Sequence, residues 1–380
     1  MQVATHLQHI HPSYIREILA AATAEGIISL AGGLPATDRF PLSLMAESIA
    51  ELPRHAELFQ YGETAGYRPL LDHLENLYQV ASSHRMMVCS GSQQGLDLIA
   101  RTFLNPGDGV AMEAPSYPGA LQVFGMARAA IHPVQQHRDG PDLDALESLF
   151  ASGQVKLFYA VPDFHNPTGV CWTLEVRQKV ASLCDRYGVA LIEDAPYREL
   201  RFAGKELPLV STFCPERALV LRSFSKIATP GIRLGMLSGP RDWLPALIRV
   251  KQASDLHSSI PMQALILDLI THPGFPGHIR QLCDLYSERY QALATALSEY
   301  LGEGFDAEPV QGGMFLWLKL PVLDSAAVAR AALTKRVAVV PSTAFYPKGV
   351  SAEPALRLNF SHEAPDTLRE AVRRLARVLI

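Results

Sequence analysis

The chain has 380 residues, 48% hydrophobic and 19% charged, enough to bury a large core and far from the composition of a disordered protein. Its 34 basic and 38 acidic residues leave a net charge of −4 with no long block of either sign, which argues for a small-molecule partner and against nucleic acid or an anionic membrane. No apolar run approaches the roughly 18 residues of a membrane span, no basic-then-apolar leader opens the chain, and Cys89, Cys171, Cys184, Cys214 and Cys283 form no CxxC pair, so we expect a soluble, cytoplasmic protein with reduced thiols and no metal.

His6, His9 and His11 form H-x-x-H-x-H near the start, but without a rigid partner element they do not make a metal site. From about residue 86, short apolar runs alternate with amphipathic stretches, the signature of parallel strands joined by crossover helices. Strands are predicted at 86–90, 110–113, 156–161, 189–193, 219–222 and 234–238, with helices at 93–103, 117–127, 143–150 and 174–187. Beyond residue 279, Leu282, Leu285, Tyr286, Tyr290, Leu293 and Leu297 recur three or four apart and predict one long helix to about residue 301. Strands at 314–320 and 356–360 and helices at 325–335 and 367–379 then predict a smaller α+β domain. The expected fold is therefore α/β: a large domain over 45–275 with a mostly parallel sheet flanked by helices, and a second body made of an N-terminal arm, 1–44, and the small domain, 276–380.

Lys226 is the lysine that stands out among the eight of the chain, because it follows a strand end inside the hydroxyl-rich turn Ser223-Phe-Ser-Lys226. An amine at the carboxyl end of a parallel strand, where α/β sheets open their crevices, can be desolvated enough to form a Schiff base. The same four residues match the S-x-x-K pattern of serine acyl-transferases, yet S-D-N, K-T-G and G-x-S-x-G are all missing, as is the G-x-G-x-x-G of a dinucleotide site. An anion cradle is predicted where strand 86–90 turns into a helix through Ser90-Gly-Ser92-Gln93-Gln94, with Ser223, Ser225 and the forked guanidinium of Arg233 as further donors. Asp194, at the end of strand 189–193, suits a pyridine nitrogen that must stay protonated, and Tyr197 and Asn166 can reach a ring oxygen. Tyr117 offers a stacking face, and Arg357 can hold a carboxylate through a bidentate pair. Each of these alone has an ordinary reading as cap, turn or core residue. Their joint placement at the carboxyl ends of predicted strands matches the requirements of pyridoxal phosphate.

The strings GSQQ (91–94), NPTG (166–169) and SFSK through PGIRLG (223–235), with SYIREIL (13–19) and LAGGLP (30–35), resemble the class I and II aminotransferases of pyridoxal phosphate fold type I. The likeness extends over nearly the whole chain, and the branch of 2-aminoadipate, kynurenine and broad-specificity aminotransferases is the nearest in pattern. The resemblance implies a covalent link to pyridoxal 5′-phosphate at Lys226, Asp194 at the pyridine nitrogen, Tyr197 and Asn166 at the ring oxygen, and Tyr117 stacked on the ring. It implies Ser92, Gln93, Gln94, Ser223, Ser225 and Arg233 around the phosphate, and a homodimer in which Tyr61 reaches the partner's phosphate. Arg357, Asn166 and Gly33 would meet the substrate, and Arg16 on the N-terminal helix a distal carboxylate. Ala195, Asp163 and His165 depart from the family pattern beside these ligands, which bears on substrate identity. The implied activity is ping-pong transfer of an amino group from an L-amino acid to a 2-oxo acid, 2-oxoglutarate foremost. β-Elimination or decarboxylation on the same cofactor is the alternative, and a ligand-sensing domain of a transcription regulator is disfavoured because only about 30 residues precede LAGG.

Overall fold

The structure is a computed structural model that describes residues 1–4, 7, 18, 26–302, 305–321 and 324–380. In chain order its first strands are β1 (Ile28–Ser29), β2 (His84–Cys89), β3 (Gly109–Ala114), β4 (Ala130–His137), β5 (Gly140–Pro141), β6 (Val155–Ala160), β7 (Ala190–Asp194), β8 (Ala218–Ser223) and β9 (Gly235–Pro240). Strands β2 to β9 form one sheet in the order β2-β9-β8-β7-β6-β3-β4-β5. Its side chains alternate between two cores. Val110, Met112, Leu157, Tyr159, Ile192, Leu219 and Leu221 pack into one cluster, while Ala111, Phe158, Ala160, Leu191 and Ala218 pack into another. A strand buried on both faces cannot alternate apolar with polar residues, which is why these segments read as continuous apolar runs.

The four crossover helices lie close to the sequence expectation, at Ser92–Phe103, Pro118–Met126, Leu143–Ala151 and Leu174–Tyr187. Two features of the sheet differ from it. The strand expected at 234–238 is β9, which runs antiparallel to both β2 and β8. The link from β8 to β9 is too short for a helical crossover, so the chain returns by a turn. β4, whose sequence is half polar, is an unpredicted strand pairing parallel with β3 and antiparallel with β5.

The long helix is Phe275–Leu301, 27 residues, about 40 Å at 1.5 Å per residue. It leads to a second sheet of β10 (Asp306–Ala307), β11 (Phe315–Lys319), β13 (Val340–Pro341) and β14 (Ala355–Asn359), in the order β10-β11-β14-β13 and antiparallel throughout. Helices Ser325–Thr334 and Pro365–Leu379 accompany that sheet. β1 pairs parallel with β12 (Val337–Ala338) as a separate two-stranded sheet, which ties the segment after residue 28 to the chain just before β13. Asn359 N–H donates to the Leu30 carbonyl and Ser361 Oγ to that of Leu34, both at 2.8 Å, and Tyr286 Oη accepts from Ala36 N–H at 3.1 Å. These bonds bring Gly33 over the carboxyl edge of the large sheet.

Candidate active site

One cavity of about 450 Å³ opens at that edge, where the chain leaves β2, β3, β6, β7 and β8. Its walls include Gly33, Ser92, Gln93, Tyr117, Asn166 and Asp194 from the predicted set. Tyr197, Ser223, Ser225, Lys226, Arg233 and Arg357 complete that set around the same space. Open α/β sheets place their ligands here because the strand-to-loop turns all face one way.

Lys226 lies in the turn after β8, half-buried, and its Nζ donates to the Gly33 carbonyl at 2.8 Å. Burial, with Arg357 and Arg233 adding like charge, pulls the amine down to about 8 from its ordinary value of 10.5. Such an amine is partly unprotonated near neutral pH and can act as nucleophile and base.

Asp194 ends β7 and is 2% exposed. Its Oδ2 accepts from the Tyr159 hydroxyl at 2.9 Å, and its Oδ1 has no partner among the described residues. Burial raises the carboxyl to about 7, opposed by the Tyr159 hydrogen bond. An unpaired carboxylate oxygen in a buried site is costly unless a ligand donor meets it, and a pyridinium N–H is such a donor.

Across the cavity Asn166 Nδ2 donates to Tyr197 Oη at 3.4 Å, and its Oδ1 accepts from Arg357 Nη1 at 2.9 Å. Arg357, in the middle of β14, is 2% exposed, and its guanidinium lies 4.3 Å from the Phe315 ring centroid and 5.0 Å from that of Phe345. Burial brings it down to about 10, still a cation at neutral pH, and among the described residues its Nε has no partner and its guanidinium no carboxylate. A buried arginine without a carboxylate partner is set up to receive one from a ligand.

The anion cradle forms at the start of helix Ser92–Phe103, whose first N–H groups have no carbonyl one turn back. Gly91 precedes it at φ 84°, and a Cβ there would meet Arg233 Nη2 at 2.7 Å, so glycine lets the guanidinium sit against the turn. Arg233 Nη1 donates to Ser225 Oγ at 3.4 Å, and Ser223 Oγ accepts from Ser225 N–H at 3.2 Å. Tyr117 Oη donates to Gln93 Oε1 at 3.2 Å, bringing the ring beside the cradle.

Two sequence candidates are elsewhere. Gln94 points away from the cavity, accepting from Ser90 N–H at 2.7 Å and donating to Asp255 at 2.6 Å, because one residue along a helix turns the side chain by about 100° from that of Gln93. Tyr61 is 79% exposed, with its ring in edge contact with His257, and does not line its own chain's cavity. Arg16, like His6, His9 and His11, lies outside the described residues. Among the described residues no three histidine, cysteine or acidic side chains gather as a metal site. The sequence reading missed Tyr159, the partner of Asp194, although its alternation in β6 puts it on the cavity side of the sheet. It also missed Phe315, which flanks Arg357 and closes on Gly33.

The family profile described as aminotransferase class I and II matches residues 25–375. The chain belongs to that family. It is 35% identical to a 2-aminoadipate transaminase of Thermus thermophilus over 97% of this chain and 94% of that one. It is 34% identical to aromatic-amino-acid aminotransferase 1 of Thermococcus litoralis over 97% and 91%. Among solved structures, the multiple substrate aminotransferase of Thermococcus profundus superposes with a TM-score of 0.94 at 34% identity, covering 99% of this chain and 97% of that one. The protein is thus a pyridoxal 5′-phosphate-dependent aminotransferase of fold type I acting on amino acids, in the branch that the sequence strings resemble. The residues present suit the cofactor: an open oxygen on Asp194 for the ring nitrogen, an amine on Lys226 for the aldehyde, and a cradle of N–H, hydroxyl and guanidinium donors for the phosphate.

Proposed function

We propose that this aminotransferase moves the amino group of an L-amino acid to 2-oxoglutarate by a ping-pong mechanism, as a cytoplasmic homodimer. The observation that carries the reading is the meeting, in one cavity, of the Lys226 amine, the open oxygen of Asp194 and the buried Arg357 guanidinium. When bound, pyridoxal 5′-phosphate supplies an aldehyde and an electron-withdrawing ring. Ser92, Gln93, Ser223, Ser225 and Arg233 would hold its phosphate, Tyr117 would pack on its ring, and Asn166 and Tyr197 would donate to the ring oxygen. Asp194, kept partly ionised by Tyr159, holds a proton on the ring nitrogen. Arg357, with Asn166 and Gly33 beside it, fixes the substrate α-carboxylate, and the aromatic walls Phe315 and Phe345 keep water from that ion pair. Lys226 Nζ, as an unprotonated amine, would take the proton from the substrate Cα.

Arg357 is the arginine on the substrate side of this space and the cavity is small, so donor and acceptor use it in turn, which supports the ping-pong order. The exposed Tyr61 supports a role in the partner's phosphate site, and the resemblance implies Arg16 as the partner of a distal carboxylate. The described cysteines carry free thiols, in keeping with a reducing compartment, and no helix among the described residues is long and apolar enough to cross a membrane. The helix from Phe275 to Leu301 supports dividing the chain into a domain over 45–275 and a second body of 1–44 with 276–380.

The test is product analysis with purified protein and a panel of amino donors. Stoichiometric glutamate from 2-oxoglutarate, with parallel double-reciprocal plots, is the expected result. Ammonia or carbon dioxide release in place of glutamate would assign β-elimination or decarboxylation.

A further inference from the structure

Beneath the anion cradle, on the side away from the cavity, lies a polar knot that the reaction itself does not use. Lys251 is fully buried in helix Leu244–Asp255. Its ammonium donates to Asp255 Oδ1 and Oδ2 at 2.8 and 2.9 Å, to Ser258 Oγ at 3.0 Å and to Gln94 Oε1 at 3.2 Å. All of these acceptors also bear on Ser90, the residue that opens the cradle. Gln94 Oε1 accepts from Ser90 N–H at 2.7 Å, Ser258 Oγ lies 3.2 Å from Ser90 Oγ, and Asp255 Oδ2 accepts from Ser90 Oγ at 3.4 Å. On its other side the Ser90 carbonyl accepts from Arg233 Nη2 at 3.4 Å, the guanidinium that rests on Gly91.

Burying an ammonium costs several kcal/mol before compensation, and an apolar residue of similar volume often serves stability as well. What an apolar side chain cannot do is hold three acceptors in one fixed arrangement. Those acceptors fix Ser90 through its N–H and its hydroxyl. Ser90 and Gly91 in turn set where Arg233 and the first N–H groups of Ser92 and Gln93 stand. We propose that Lys251 is a positioning residue for cofactor phosphate: acting through Gln94, Asp255 and Ser258, it holds the Ser90–Ser92 turn and Arg233 in register for a dianion. Gln94 thereby takes part in cofactor binding as a link in this chain of contacts, without touching the cofactor.

The inference rests on reading that turn as the phosphate cradle, and its test separates the two. Full-length protein freed of cofactor is titrated with pyridoxal 5′-phosphate and, separately, with pyridoxal, which has the aldehyde and ring but no phosphate; quenching of protein fluorescence reads both Kd values. The parent protein is expected to prefer the phosphorylated form strongly, and equal affinity for the two would instead refute the cradle itself. Lys251→Met should raise Kd for pyridoxal 5′-phosphate about tenfold or more, the loss of one charge-assisted contact's worth of order, while Kd for pyridoxal stays within about twofold. Asp255→Asn, at the partly exposed end of the knot, should show the same selective loss to a smaller degree and supplies the answer if Lys251→Met does not fold. A Kd that rises equally for both ligands, or that is unchanged for both, overturns the proposal, because general destabilisation has no reason to single out the phosphate.

Discussion

Asp163 and Asp194 are both buried beside the carboxyl edge of the large sheet, and the protein treats them in opposite ways. Asp163 is saturated: Arg177 Nη2 donates to it at 2.7 Å, Arg198 Nη1 at 2.9 Å and Arg201 Nη2 at 3.4 Å. Burial works to raise its carboxyl, but Arg177 and Arg198 outweigh burial and hold it below its ordinary value. Among the described residues Asp194 has Tyr159 on one oxygen, no partner on the other and no cation to offset burial, so it rises to about 7. A buried charge whose valences are all filled belongs to the architecture, whereas one left with an open atom facing a cavity is waiting for a ligand. The lysines divide in the same way. Among the described residues Lys251 makes four hydrogen bonds to side chains, and Lys226 makes one to a carbonyl.

The sharpest way to break this division is at its open members. Lys226→Ala should lower turnover by about 10⁴-fold or more and remove the cofactor linkage that borohydride traps; a reducible link surviving in the variant would move the role to another amine. Asp194→Ala should retain cofactor and thermal stability but lose about 10²–10³-fold in kcat, because on the proposed reading the ring nitrogen would lose its anion. Asp163→Ala should do the reverse, costing about 3–5 kcal/mol of stability by taking their shared carboxylate from three guanidiniums, of which the fully buried Arg177 has no other ion-pair partner among the described residues, with kcat of the folded fraction close to that of the parent. Thermal melts and kcat measured side by side decide between them, and a common phenotype for both aspartates would end the distinction.

Tyr61 tests whether the open site extends beyond one chain. Mixed Tyr61→Phe and Lys226→Ala subunits should form heterodimers with one intact site, regaining activity above either parent variant once subunit exchange is verified. Failure to regain it would confine the site to a single subunit.

The smallest effect concerns the protonation of Lys226. Its folded value of about 8 lies below the 10.5 of an unfolded chain, so between those values the unfolded state binds the extra proton and stability rises with pH. Below pH 8 both states are charged and the buried ammonium remains a cost. Cofactor-free Lys226→Met should therefore melt higher than the cofactor-free parent at pH 7, with the gap closing as pH approaches 10.5. A gap that does not narrow across that window would mean that the amine is not desolvated.

The crossover helices, most strands of the large sheet and the residues that gather at its carboxyl edge were legible in the amino-acid order. Those features are local. A buried parallel strand declares itself as an apolar run, and the motif-bearing turns follow directly on strand ends, so Lys226, Asp194 and Asn166 could be placed relative to the sheet without knowing the rest. The reversal of β9, the exposure of Tyr61 on its own chain and the side on which Gln94 lies came from the packed fold. It alone paired Tyr159 with Asp194 across 35 positions, Arg357 with Asn166 across 191 and Lys251 with Gln94 across 157. Whether a buried polar atom is filled or left open depends on partners that arrive from distant segments, and that long-range complementarity leaves no periodicity or spacing in the chain to be read.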